Sequence, residues 1–577
     1  VKFKEFSSVL EKLEKTPSRL SLIDILAELF GQVKADEIAR VVYLIQGRVA
    51  PFYEPVEMGM SDKLVAAAIA RAYGVEKEEV LKEYGEVGDL GVVAKRLNEE
   101  LKIKNYELSV AEIFNALTEI AKTSGEGTVE KKILLLSGLL QKMDPVSAKH
   151  LVRIPLGVSR LGVGDPTVLD AFAAAKLGDR KNKKELEEAY NKTSDLGFIG
   201  EVLWKKGIEG VRKLDVTVGR PIRPQLAERL PDAKAILEKF GQAHIQYKYD
   251  GFRTQLHKNG DEVRIFSRNL EETTTMFPEI IEGVRKQVKA KTAILDSEAL
   301  AFNPDSDEFL PFQETTKRRR KYGIEEMSKS LPLKAFVFDV MYIDGKSYID
   351  VPLRERMDAL EKVISGSEVL VPQPGEITNS EERVITILND AFTKGLEGLV
   401  VKRVDSGYEA GARNFNWVKL KKHSAGELHD TIDCVILGYV YGRGKRAEFG
   451  AGALLVGVYN KEKDEFVTVS KIGTGLSDLE WREVHERADK IKVEHKPARV
   501  NSILEPSVWI EPKIVIEVLA DEITKSPVHT AGKAGLEPGY ALRFPRLVRF
   551  REEDRRAEDA TTVKELVEMY KLQYMKS

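Results

Sequence analysis

The residues best suited to chemistry lie in one hexapeptide, Lys248-Tyr249-Asp250-Gly251-Phe252-Arg253. A lysine is a nucleophile only as the free amine, so its ordinary pKa of ~10.4 must be drawn down by nearby cations or a metal. Once neutral, such an amine can attack an α-phosphorus and hold a nucleotide as a phosphoramidate. Gly251 would permit a sharp turn that returns Arg253 toward the same ligand. Alone, K-x-D-G-x-R is only moderately specific, and six residues can match by chance.

Six further segments, in a fixed order downstream, make the case. Phe266-Ser267-Arg268-Asn269, Leu295-Asp296-Ser297-Glu298 and Phe336-Val337-Phe338-Asp339 come first. Glu397-Gly398-Leu399-Val400-Val401-Lys402, Trp417-Val418-Lys419-Leu420-Lys421 and Arg543-Phe544-Pro545-Arg546 come after. A triphosphate needs two or three cations, and Lys402, Lys419 and Lys421 lie on two short strands that can converge on one. A hard divalent cation such as Mg²⁺ needs a few carboxylates and several waters, a demand that Glu298 and Glu397 fit. Out of context each has a blander reading. Phe338 and Trp417 would be core, Glu298 a strand-end ion pair, and Lys317-Arg318-Arg319-Arg320-Lys321 a solvated loop, with phosphate contact its alternative.

These segments must be held by the elements around them. Residues 1–216 read as an all-α domain: Leu20, Ile23, Leu26, Leu29 and Phe30 recur at helical spacing, as do Ile38, Val41, Val42 and Ile45. Further on, Gly162 and Gly164 precede Asp165, a helix cap, and Pro166, a first-turn residue. Two glycines before a helix start leave backbone N–H groups for a phosphate, or simply make a helix–loop–helix joint. The stretch 214–224 is proline-punctuated and extended, a linker into a second domain, 217–422, where short strands alternate with helices over Arg354–Ile364 and Ser380–Lys394. The third domain, 423–577, carries strand-like runs with Gly-rich turns, interrupted by a helix at 478–491 and closed by one at 562–575. That is the OB pattern, a five-stranded barrel used repeatedly on nucleic acids.

The 577 residues are too many for one core, and 42% apolar content lets each of three domains bury its own. No apolar run reaches the ~18–20 residues of a membrane span, and nothing at the start reads as a secretion signal. The expectation is a cytoplasmic, nucleoid-associated monomer. A single cysteine, Cys434, excludes a disulfide framework and a Cys-rich zinc module. Net charge of −2 means that any basic surface is local, and 32% charged residues suit a heat-adapted protein.

The ordered series resembles the covalent nucleotidyltransferase superfamily of DNA ligases, RNA ligases and mRNA capping enzymes. The Arg-Phe-Pro-Arg element and the long helical N-terminal region narrow the resemblance to ATP-dependent DNA ligases of the archaeal and eukaryotic replicative type, over essentially the whole chain. It implies a multidomain architecture: a helical DNA-binding domain, an α+β adenylation domain and an OB-fold barrel. It implies Lys248 as the nucleophile that takes AMP from ATP, with Mg²⁺ (or Mn²⁺) as the metal. Glu298 would serve the ribose hydroxyls or the metal, Glu397 the metal, and Phe338 the purine. Arg253, Arg268 and Arg413 match positions that contact the nucleotide or the DNA 5′-phosphate. The implied reaction runs through lysyl-AMP and an adenylylated 5′ end to sealed duplex DNA, in replication, repair and recombination.

Nicked double-stranded DNA is then the partner, gripped largely through phosphates, with Arg19, Arg48, Arg153 and Arg160 as candidates in the helical domain. A sliding clamp is a common family partner, although no Gln-led peptide ending in paired aromatics stands in that domain. NAD⁺ ligases carry a Cys₄ zinc module that one cysteine rules out. Two positions depart from the family. Gln246 stands where glutamate is common in the adenine pocket; its carbonyl can still accept from the N6 amine, without the charge. The usual R-x-D-K near the C-terminus becomes Arg551-Glu552-Glu553-Asp554-Arg555-Arg556, one residue longer with arginine for lysine. Which arginine reaches pyrophosphate is open. RNA ligases and capping enzymes lack so long a helical region, and a catalytically silent clamp would have no need of this intact set.

Overall fold

The computed structural model describes all residues except 102–106, 304–308, 311–313, 316, 319, 321, 422–429, 442–449, 474–475, 536 and 575–577. From Phe3–Glu14 to Leu196–Arg212 the chain is helical and encloses one core, with Phe6, Ile23, Phe30, Val41, Ile69 and Phe172 at its centre. Burial follows the helical period with one correction. In the helix Arg19–Gln32, Leu22 rather than Leu20 starts the apolar stripe, and Leu20 in the first turn is exposed. Ser18 caps this helix by accepting from Ser21 N–H (3.4 Å).

The stretch after Leu214 is pinned rather than loose. Ile222 N–H donates to Gln255 Oε1 (2.7 Å), and Gln255 Nε2 donates back to Ile222 O (2.9 Å). Gly219 N–H donates to His257 Nδ1 (2.9 Å), so this imidazole must be neutral there; burial holds its pKa down at about 3.

The central region is an α+β domain built on two sheets. One runs Leu226–Arg229, Arg413–Lys421, Gly398–Arg403, Ala243–Lys248 and Glu376–Thr378. The other runs Glu262–Ser267, Phe252–Asn259, Thr292–Ala301, Leu333–Ile343 and Lys346–Ser347, with Leu370–Pro372 added parallel to Leu333–Ile343. Helices Ala233–Phe240 and Glu381–Thr393 cover the outer face of the first sheet. Pro278–Gln287 and Leu353–Val363 cover that of the second. The inner faces meet through Met341, Tyr408 and Trp417.

The last region is strand-rich, as expected for a barrel, but larger than five strands. Its main sheet has eight, in which Ile432–Tyr441 pairs with Ala451–Asn460, Val508–Ile510 and Val515–Leu519. The strands shorter than four residues carried no readable alternation, and the hairpin Glu522–Ser526/Gly539–Arg543 is interrupted by a long loop. Helix Asp478–Asp489 begins with a Ser477/Glu480 capping box and plugs the core with Trp481. Helix Val563–Tyr574 adds Leu566 and Met569 to the same core.

Candidate active site

Register across the first sheet places the chemistry. Ala243–Lys248 pairs antiparallel with Gly398–Arg403, which pairs antiparallel with Arg413–Lys421. Three rows result: Lys248–Gly398–Lys421, Gln246–Val400–Lys419 and His244–Lys402–Trp417. Because side chains alternate along a strand, these rows share the face turned to the second sheet. Gly398 is required at the centre of the first row. Its φ is +144°, and a Cβ there would stand 2.2 Å from Leu420 O.

In that row Glu397 bridges the two lysines, one carboxylate oxygen on Lys248 Nζ and the other on Lys421 Nζ. The two ammonium groups hold the Glu397 carboxyl far below the usual range against its burial. Gly251 lies at a bend where the chain passes from one sheet to the other, and Lys248 and Arg253 on either side of it line one cavity. It also allows close approach, since a Cβ would meet Ala299 O at 2.3 Å, and its N–H donates to Glu298 Oε1 (3.1 Å). Burial pushes the Glu298 carboxyl up to about 7, with Lys248 and Arg253 pulling the other way. Arg253 is fixed by both oxygens of Asp296 (3.1 and 2.7 Å), by Gln225 O (2.7 Å) and by Tyr408 Oη (3.2 Å). The sequence did not single out these three partners, although Asp296 sits two residues before Glu298 and therefore shares its face.

A cavity of about 310 Å³ opens over the rows, between the two sheets and the barrel. At its inner end Gln246 donates through Nε2 to Phe338 O (3.1 Å) and to Gln373 O, which leaves its buried Oε1 without a partner. Phe338 and Trp417 pack edge to face, ring centres 6.2 Å apart. Lys402 lines the same cavity as Lys419 and Lys421, but at its inner end: it stands one row from Lys419, and four residues along a strand, roughly 13 Å, separate it from the Lys248 row. There Lys402 is 1% exposed, donates to Phe338 O (3.1 Å), pairs with Asp339 (3.4 Å) and lies 4.0 Å from the Trp417 ring centre. Asp339 also holds Arg356 through a pair in which both side chains are 0% exposed.

Lys419 and Lys421 do converge on the cavity, together with Arg229, which pairs with Asp430 (2.5 Å). Burial drives the Lys419 ammonium well below its ordinary pKa, with Arg229 adding to the push. Arg268 and Arg413 also line the cavity, Arg413 from the start of the strand that carries Lys419 and Lys421. Arg413 is taken up by Glu565 of the last helix, and Arg268 keeps a buried Nε without a partner. The C-terminal arginines divide. Arg551 is locked on Asp554 (2.6 Å) and Glu517 (3.1 Å), while Arg555 contacts Asp433 (3.3 Å) at the cavity wall. Arg556 turns to the other side, over Phe52.

The helical-domain candidates are mostly engaged within the protein. Arg19 bridges Asp170 (2.5 Å) and the barrel's Asp464 (3.1 Å), and Arg153 is buried between Asp89 and Glu14. Arg160 donates to Gly88 O (2.9 Å) and Lys492 O (2.6 Å). Arg48 is exposed and, with Arg153 and Arg160, faces a second cavity of about 1570 Å³ between helices and barrel. Gly164, not Asp165, is the N-cap of Asp165–Leu177. The Asp165 carboxylate instead accepts from Gln46 Nε2 (3.0 Å) and from Tyr190, and Arg499 of the barrel lies against Gly164. In the 317–321 run, Arg318 is buried on Glu279; Arg319 and Lys321 lie outside the described residues.

The fold and the lysine row define the class, a nucleotidyltransferase. Family matches extend this along the chain: "DNA ligase N terminus" over 2–173, "ATP dependent DNA ligase domain" over 224–421 and "ATP dependent DNA ligase C terminal region" over 447–554. A "Probable DNA ligase" of Dictyoglomus turgidum is 48% identical over 99% of this chain and 97% of its own. A "DNA ligase" of Sulfurisphaera tokodaii is 42% identical over 100% of this chain and 98% of its own. The chain belongs to the ATP-dependent DNA ligases.

Proposed function

We propose that the chain seals 5′-phosphate/3′-hydroxyl nicks in duplex DNA, with Lys248 as the residue that carries AMP. The observation that bears most on this is the row Lys248–Gly398–Lys421 at the mouth of a nucleotide-sized cavity whose inner end offers a buried, unpartnered acceptor, Gln246 Oε1. An adenine N6 amine is the donor this oxygen lacks, and Phe338 supplies an aromatic face beside it. In step one Lys248 Nζ, once released from Glu397 and deprotonated, bonds to the α-phosphorus of ATP, and the bond to the β-phosphate oxygen breaks. Lys419, Lys421 and Arg229 lie where the phosphate charge would fall. In step two an oxygen of the DNA 5′-phosphate displaces the lysine amine. In step three the 3′-hydroxyl attacks that phosphate and AMP leaves. Arg268 and Arg413, with Arg253 positioned by Asp296, would orient the phosphates, since alignment and charge neutralisation dominate such transfers.

Glu298 and Glu397 would hold a divalent cation. The fit rests on the donor chemistry: a Glu298 carboxyl pushed up by burial marks negative charge that the site's own cations leave under-compensated. Bound Mg²⁺, or Mn²⁺, would neutralise phosphate charge.

The working units would be 1–216 for DNA, 217–422 for adenylylation and 423–577 as the closing barrel. We take the protein to act as a cytoplasmic, nucleoid-associated monomer, with a sliding clamp as a further partner. Among the described residues no helix is long and apolar enough to cross a membrane. The test is intact mass after incubation with ATP and Mg²⁺. Wild type should gain one AMP and Lys248→Ala none, and nicked duplex should discharge the adduct as a joined strand. Absence of any adduct on wild type would end this reading, and discharge only by RNA ends would change the substrate.

A further inference from the structure

Arg555 and Arg556 are adjacent; Arg555 reaches the cavity over the lysine rows, and Arg556 meets both other regions with one side chain. Its guanidinium carbon lies 3.8 Å from the ring centre of Phe52 in the helical region. Its Nη2 donates to the backbone carbonyl of Asn269 (2.9 Å) in the central region. Asn269 answers from its other end, its Nδ2 donating to Glu552 O (3.4 Å), so residues 552–556 clasp Asn269 at two points. The clasped residue is buried and follows directly on Arg268, which lines the adenylate cavity. Leu270, next along, holds a left-handed φ of +65°, so the turn that presents the Asn269 carbonyl is a defined conformation.

We propose that Arg556 is a positioning residue for step one. Its contact with Phe52 and Asn269 docks the barrel against both other regions at once and sets Arg555 and Arg268 at the cavity wall. The longer form of the C-terminal motif thus gives one arginine to the cavity and the next to the dock. This inference rests on the adenylylation reading above and adds to it a residue that touches neither nucleotide nor Lys248. A half-buried cation–π contact and one part-buried hydrogen bond together hold the docked state by about tenfold over the undocked one.

Two readouts separate docking from chemistry. Small-angle scattering of the ATP-free protein should show Arg556→Ala expanded relative to wild type, with Arg556→Lys between them. Single-turnover formation of lysyl-AMP should fall about tenfold in Arg556→Ala, whereas sealing of a pre-adenylylated nick should stay within about twofold. Phe52→Leu should slow adenylylation too, and the double variant should be no slower than the worse single one, because both remove the same contact. The proposal is overturned if Arg556→Ala keeps wild-type dimensions and adenylylation rate, if both reactions fall equally, or if the two substitutions add. Scattering decides the docking claim even if wild type takes up no AMP, so its failure and that of the ligase reading are distinguishable.

Discussion

Replacing Asp339 by asparagine should unfold the central region at markedly lower temperature. The Asp339 carboxylate, fully buried, accepts from Arg356 Nε (2.8 Å) and Nη2 (3.2 Å) and from Val340 N–H (3.0 Å), with Lys402 Nζ at 3.4 Å. Asparagine keeps the shape and one acceptor but leaves a guanidinium and an ammonium in the interior without counter-charge. Breaking a buried pair in this way costs about 3–5 kcal/mol. For a region of this size each kcal/mol moves the transition by about 2–4 °C, so a fall of roughly 6–20 °C is expected. Differential scanning calorimetry suits the measurement because several regions unfold and the central transition must be followed separately. Replacing all three charged side chains by apolar ones of similar volume should recover most of the loss, since no charge is then stranded. An Asp339→Asn transition within about 3 °C of wild type, or a triple variant worse than the single one, would refute the argument.

Two further outcomes are expected at the same end of the cavity. Burial pushes the Lys402 ammonium down to about 8 although Asp339 pulls it up. A base depressed in the folded state gives stability that is lost as pH falls from 10.5 toward 8, so Lys402→Met should gain on wild type below pH 8 and the gap should narrow toward pH 10, as thermal melts at several pH values would show. Gln246→Glu would set a carboxylate against the carbonyls of Phe338 and Gln373, which now accept from Nε2. A carboxyl so placed is raised in pKa, so stability is lost as pH rises, and the melting deficit should be larger at pH 8 than at pH 5.5. An equal deficit at both would show that the amide orientation is otherwise.

Much of this was legible in the sequence because strand register preserves spacing. Lys248, Glu298, Glu397, Lys419 and Lys421 were named from short motifs and meet at one cavity. Helix limits such as Leu353–Val363 and Asp478–Asp489 fell within two residues of the reading. What failed depended on contacts between distant segments. Periodicity along one strand cannot show which end of a sheet a residue occupies, so the sequence brought Lys402 to the cavity without showing that it stands at the inner end. Nor can a basic run reveal that Glu279 buries one of its members, Arg318. The clasp of Asn269 by residues nearly three hundred positions later has no local signature at all.

The three rows of the first sheet also separate two kinds of change that this enzyme can accommodate. The Lys248 row, which holds the proposed nucleophile, shares no side chain with the Lys402 row at the proposed base end, and the row Gln246–Val400–Lys419 lies between them. On the proposed reading, a substitution at the base end would therefore alter which nucleotide is admitted while the reacting end keeps its geometry. A shift of any one of these strands by one residue would instead turn that strand's member of all three rows to the opposite face. On the proposed reading, nucleotide preference would thus be an adjustable property of the sheet, and the reaction itself an all-or-none one.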